Sequence, residues 1–285
     1  GTDMAQIVFA AAASHAPGLT GWMDKAPVED QEVVRRAYGE LHERLVRSRC
    51  DVLLVIGNDH LSNYRVSKYP DFTVGMAAEH VGPDDWFRPW LNLSEYRLPG
   101  APEVAATVAD GLSRRGHDVT RAYDNLRFDD NISVPTALLR LPETGIAVIP
   151  ILQNCTVPQI LDERRCYAVG QALGELVREG LPPDLRVGLL GSGGLSHEPG
   201  GPRYLQIDED FDRWFLRLLE AGDHGAVLEQ ATLERMETAG SGGTAELLSW
   251  LVVMGAIGEH PCTALGYACV SQWRCGVGAV TWELA

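Results

Sequence analysis

A chain of 285 residues with 45% hydrophobic and 22% charged content has the make-up of a folded globular protein, long enough to bury a large core. Its formal net charge of -15 argues against nucleic acid or an anionic membrane as a partner, because phosphate recognition depends on basic surface. No apolar stretch reaches the roughly 18 residues a membrane helix needs, and no basic segment leads into an apolar run and a cleavage site, so the cytoplasm is the expected compartment.

Short apolar runs alternate with longer helical periods, the pattern of an α/β fold with a mostly parallel central sheet flanked by helices. Residues 6–13 read as the first strand, and 28–49 as a long amphipathic helix with charges between its apolar positions. Asp51-Val52-Leu53-Leu54-Val55-Ile56-Gly57 is short and apolar, as a buried strand is. Residues 66–101, rich in Pro, Trp and Tyr, read as an excursion with one strand at 72–76. A helix is expected at 102–115, a strand at 119–123, a helical segment at 134–139, a buried strand at 145–152 and a second long helix at 157–179. A strand at 186–190 runs into the glycine turn Gly191-Ser192-Gly193-Gly194. Helices at 209–221 and 245–255 precede a closing pair of strands, near 268 and at 277–284. No repeat or composition break divides the chain, so 4–285 reads as a single domain, with Gly1-Thr2-Asp3 an addition ahead of Met4. The cysteines Cys50, Cys155, Cys166, Cys262, Cys269 and Cys275 include no CxxC pair and read as reduced thiols.

Ligands of α/β sheets bind beyond the carboxyl ends of the strands, and three such ends carry a histidine. The first strand leads to Ser14-His15-Ala16-Pro17-Gly18, the second to Asn58-Asp59-His60, and the glycine turn to Leu195-Ser196-His197-Glu198. Neighbouring parallel strands would bring three imidazoles to one rim, and imidazole is both a ligand of first-row metals and the usual acid/base near neutral pH. Any one of these histidines alone is more ordinarily a surface or capping residue. His42 and His117 read as solvent-facing, and His80, His224 and His260 as loop residues without supporting neighbours.

A two-His, one-carboxylate site needs an acidic residue. Glu246 is the best placed, between the small run Gly240-Ser241-Gly242-Gly243-Thr244 and the apolar helix that starts Leu247-Leu248-Ser249-Trp250. An inward carboxylate there needs a partner, which a metal would supply; the helix dipole and free backbone N–H groups would serve equally. There is no HExxH for a zincin, no GxSxG nucleophile elbow, and neither a P-loop Lys nor a full GxGxxG.

Four segments together resemble the class III extradiol dioxygenases, the superfamily of the protocatechuate 4,5-dioxygenase catalytic subunit and of gallate dioxygenase. They are Ala13-Ser14-His15-Ala16-Pro17-Gly18, Gly57-Asn58-Asp59-His60, Gly191-Ser192-Gly193-Gly194-Leu195-Ser196-His197, and Ala239-Gly240-Ser241 leading to Glu246-Leu247-Leu248-Ser249-Trp250-Leu251. The resemblance implies a catalytic domain in which His15, His60 and Glu246 hold Fe(II) and His197 is the acid/base. It implies a small aromatic substrate of catechol type (protocatechuate, a gallate, a substituted catechol or an aminophenol) cleaved with O2. Ser14, Asn58 and Asp59 would be outer partners of the ligands or would touch substrate, since a liganding imidazole gives its other N–H to an oxygen. One departure stands out. Relatives carry a second histidine in an Asp-His-Gly motif before Val-Pro, where this chain has Asp129-Asp130-Asn131 ahead of Val134-Pro135. Asp130 in that place is either a proton acceptor or substrate ligand, or a plain loop residue. A zinc hydrolase and a non-enzymatic binding paralogue are the rival readings on the same scaffold. A homodimer or a small helical partner subunit is left open.

Overall fold

A strand's period of two sends alternate side chains to opposite faces, and the first two strands have a core on each side. From β1 (Gln6–Ala13) and β2 (Val52–Asn58), Ala10, Ala12, Val52, Leu54 and Ile56 enter one core, while Phe9, Ala11, Ala13, Leu53 and Val55 enter the other. This is why both read as unbroken apolar runs. The computed structural model describes residues 4–124 and 126–284, so the reading of Gly1-Thr2-Asp3 lies outside the described residues.

The remaining strands are β3 (Phe72–Gly75), β4 (Glu79–Gly82), β5 (Tyr96–Pro99), β6 (Val119–Ala122), β7 (Ala147–Gln153), β8 (Arg186–Ser192), β9 (Cys262–Val270) and β10 (Cys275–Trp282). Eight strands form one sheet in the order β6-β3-β7-β2-β8-β1-β10-β9, and β4 pairs with β5 apart from it. The central strands β7, β2, β8 and β1 run parallel. β3 is antiparallel to β7 on one side, and β10 is antiparallel to β1 and β9 on the other. Helices Pro102–Arg114, Glu163–Gly180, Glu209–Glu220 and Leu248–Ile257 cover one core; Val28–Arg47 and Asp130–Leu138 cover the other. Every residue of Leu248–Ile257 is buried, so that helix has no polar face to signal its direction. Among the described residues no helix is long and apolar enough to cross a membrane.

Three expectations need correction. The helix expected at 157–179 begins at Glu163, where the Asp162 carboxylate accepts from Arg165 N as an N-cap. Ile160 and Leu161 still pack on the core without being helical, which is what their spacing mimicked. The segment at 134–139 starts at Asp130, behind the N-cap Asp129. The 66–101 excursion holds, besides β3, the β4–β5 hairpin and a helix at Phe87–Leu91.

Candidate active site

β2, β8 and β1 are neighbours, so the segments leaving their carboxyl ends meet on one rim. His15 leaves β1, His60 leaves β2, and Gly193 and Gly194 turn the chain after β8 with φ of +126° and +69°, angles that glycine alone adopts freely. A Cβ on Gly193 would sit 2.7 Å from the Glu246 Cβ, so the turn also lets the carboxylate approach. Glu246 lies in the 3-10 turn Thr244–Leu247 that leads into the buried helix.

Three imidazoles converge on that carboxylate. His60 Nε2 is 2.7 Å and His15 Nε2 3.3 Å from Glu246 Oε2, while His197 Nε2 is 3.5 Å from Oε1. The backbone N–H of Gly194 donates to Oε1 at 3.2 Å. Donor atoms of His15, His60 and Glu246 all lie within 4.8 Å of one another, close enough to share a cation.

Outer contacts fix which nitrogen of each ring faces inward. The Ser192 hydroxyl donates to the Asn131 carbonyl at 2.7 Å, so its oxygen accepts from His15 Nδ1 at 2.9 Å; Nδ1 is thus the nitrogen tied to the protein, and Nε2 is the one turned to Glu246, where a proton or a metal ion can sit. At His60, Nδ1 lies 3.3 Å from Asp129 Oδ2 and 3.2 Å from Asp130 Oδ1, a charge contact out of line for a hydrogen bond, while Nε2 is the nitrogen turned to Glu246. His197 Nδ1 donates to the Leu195 carbonyl at 2.9 Å, leaving Nε2 open to the cavity. A second grouping, His60 with Asp129 and Asp130, also has metal-like spacing. There the Asp129 carboxylate is already committed to His60 N, Ser62 Oγ and Asn131 N.

Charge around the site asks for a cation. Burial alone would push Glu246 up, yet the flanking His15 and His197 and the hydrogen bonds from His15 and His60 hold it well below the usual carboxylate range. Burial alone would lower both histidines; Glu246 holds His15 above its ordinary value, and Asp130 and Asp129 hold His60 well above. A divalent metal on the two Nε2 atoms and the carboxylate would supply the positive charge that protons otherwise bring.

His197 rides on a clamped loop. Leu195 N donates to Gly276 O and Gly276 N to Ser196 O, at 2.8 and 3.0 Å. From the other side, buried Asp212 accepts from Ser196 N and Oγ and from Tyr267 Oη, the last at 2.5 Å. Burial pushes the Asp212 carboxyl up to about 7 against these donors.

The other expected residues sit near the rim in different roles. Asp130 lines the cavity, 3.9 Å from His15 Nε2. Ser14 Oγ accepts from Gly278 N and pins β1 to β10; Asn58 accepts from Cys155 N; Asp59 closes the turn to Asn63, and burial beside Asp129 pushes it up to about 6. None of the three bonds either imidazole. His15 Nδ1 is held by Ser192 and His60 Nδ1 faces the Asp129–Asp130 pair in a charge contact, each inside a segment the sequence had singled out for another reason. His117 is buried rather than solvent-facing, His80 is buried on β4, and His224 pairs with the Tyr167 hydroxyl.

A cavity of about 510 Å³ opens above these residues, walled by Trp22, Trp86, Phe87, Trp90 and Trp273. Two imidazoles and a carboxylate at a sheet's carboxyl edge, with a free imidazole beside them and an apolar cavity above, make the arrangement of a metal-dependent enzyme acting on a small ring. The chain belongs to the family described as the catalytic LigB subunit of aromatic ring-opening dioxygenase, whose model matches residues 9–278. In class it is an extradiol ring-cleaving dioxygenase. A relative in Burkholderia vietnamiensis, 2,3-dihydroxyphenylpropionate/2,3-dihydroxicinnamic acid 1,2-dioxygenase, is 25% identical over 94% of each chain. The relative of that name in Photorhabdus laumondii is 29% identical over 70% of this chain and 59% of its own. The crystal structure of an uncharacterised protein from Escherichia coli K12 covers 97% of this chain and 100% of that one, with a TM-score of 0.51 and 16% identity, a likeness of fold.

Proposed function

We propose that His15 Nε2, His60 Nε2 and the Glu246 carboxylate hold ferrous iron, that His197 is the acid/base, and that the substrate is a catechol bearing a side chain. The observation that carries this reading is the convergence of three imidazole Nε2 atoms on the two oxygens of one buried carboxylate, at 2.7, 3.3 and 3.5 Å. Two histidines and a carboxylate are a ligand set suited to ferrous iron with positions left open. Bound there, iron supplies redox chemistry with dioxygen and the Lewis acidity that lowers the pKa of a catechol hydroxyl.

The chain's own residues do the rest. The aromatic walls hold the ring and exclude water, and the cavity is roomier than a bare catechol needs. His197 Nε2, its partner nitrogen tied to Leu195, takes a hydroxyl proton and later returns it. Asp130 faces the same space and accepts a hydrogen bond from a substrate hydroxyl or amine. The names of the relatives support a substituted catechol over an unsubstituted one.

Anaerobic reconstitution with Fe(II), followed by oxygen and a panel of catechols, gallates and aminophenols, tests this. Stoichiometric iron, oxygen uptake and a visible-absorbing fission product are expected with the side-chain catechols. Tight zinc with no iron-dependent uptake would favour the hydrolase reading and sink this one.

A smaller effect is expected from Ser192→Ala. It removes the acceptor that orients His15, and loss of such a partner typically costs about 10–100-fold in metal affinity. Chelator competition at unchanged circular dichroism measures it; wild-type affinity would mean that Ser192 does not set the tautomer.

A further inference from the structure

The cavity's mouth carries one cation. Among the described residues that line the cavity, Arg274 is the only Lys or Arg. Its guanidinium makes no ion pair or side-chain hydrogen bond among the described residues, in a chain whose formal net charge is -15. It stands exposed at the rim, 5.5 Å from the centroid of the Trp22 ring, which lies 6.0 Å from that of Trp90 in the aromatic wall.

The backbone presents this side chain firmly. Arg274 follows the turn Ser271–Trp273 between β9 and β10 with φ of +59°, a left-handed conformation in which glycine or asparagine is less costly. Its neighbours Trp273 and Cys275 are buried. Trp22 Nε1 donates to the Gln272 carbonyl at 2.7 Å, tying the turn to the ring on which the guanidinium stacks. A large charged side chain is thus kept at a backbone position that disfavours it, held over an aromatic face, with no carboxylate of its own.

We propose that Arg274 selects substrates whose catechol carries an anionic side chain, its guanidinium pairing with that group at the mouth while the diol lies at the His15–His60–Glu246 floor. The inference rests on the catechol reading above and names the substrate class. A guanidinium matches a carboxylate in a two-pronged hydrogen bond. The Trp22 ring 5.5 Å away favours a cation over its face, and a local positive charge offsets the repulsion an anionic substrate meets from an acidic protein.

The test compares two ligands of equal arm length, 3-(2,3-dihydroxyphenyl)propionate and its primary amide, on the Fe(II)-loaded protein. Anaerobic quenching of tryptophan fluorescence gives each Kd, and oxygen uptake gives kcat and KM. The wild type is expected to prefer the acid. Arg274→Gln should lower the acid-to-amide ratio about tenfold in Kd and in kcat/KM, through KM rather than kcat, and Arg274→Lys should restore part of it. An unchanged ratio, or equal losses for both ligands, would overturn the role of Arg274. Turnover of the amide with no wild-type preference for the acid would overturn it while leaving ring cleavage intact. Binding of the acid that depends on Arg274, with neither ligand turned over, would uphold it and instead defeat the catechol-cleavage reading.

Discussion

Glu246→Ala is expected to strip the protein of iron and of all ring cleavage. Among the described residues the carboxylate is the single anion that touches both His15 Nε2 and His60 Nε2, and it is buried. Removing it leaves two neutral imidazoles to balance a dication, and also removes the charge that holds His15 above its ordinary pKa. The loss in affinity should exceed the roughly 100-fold that an outer partner costs. Glu246→Gln keeps the shape and the acceptor for Gly194 N–H while removing the charge, so it should lose metal with its fold intact. Metal analysis after anaerobic loading, beside a thermal melt, separates the two effects. Iron retained by the glutamine variant at wild-type stoichiometry and affinity would remove Glu246 from the ligand set.

His197→Ala should behave in the opposite way, keeping iron and losing turnover by about 10²–10⁴-fold, the usual worth of positioned proton transfer. His197 lies next to Glu246 Oε1, on the other side of the carboxylate from the oxygen that His15 and His60 share. Its Nδ1 is spent on Leu195 O, which leaves one nitrogen for protons and points it into the cavity. Single-turnover rates with iron-loaded protein, together with anaerobic substrate binding, are the measurements. Binding should persist while the chemical step slows. Normal turnover would show that the proton moves by another route.

Much of this site was legible because its chemistry sits where strands end. His15 and His60 follow apolar runs that announce β1 and β2, and the Gly191–Gly194 turn announces the end of β8 ahead of His197. Glu246 stood out by its position between a glycine run and an apolar helix, although the residues alone left its partner open. What stayed hidden depends on contacts between distant segments. Ser192 serves a histidine 177 positions away and Asp129 one 69 positions away, and no local pattern encodes such pairings. Ser14 and Asn58 lie beside the histidines in sequence yet turn to β10 and to Cys155 N. The β4–β5 hairpin has four-residue strands, too short for alternation to register. Arg274 sits in no motif, and only the fold sets the β9–β10 turn against Trp22.

Three donors that the proposed centre requires are separated along the chain by 186 positions between His60 and Glu246 and by 231 between His15 and Glu246. His15 and His60 leave strands that are joined only through β8, so the three donors meet only after β1, β8 and β2 have paired and the helix Leu248–Ile257 has docked. Ion binding at this centre is therefore linked to completion of the long-range topology, the slow part of folding a sheet of non-local pairings. A ligand bound only by the native state adds about 2.7 kcal/mol of stability at a hundred times its Kd. An occupied centre would thus act as a latch across the sequence, adding its stability only to a chain in which β1, β8 and β2 are already paired.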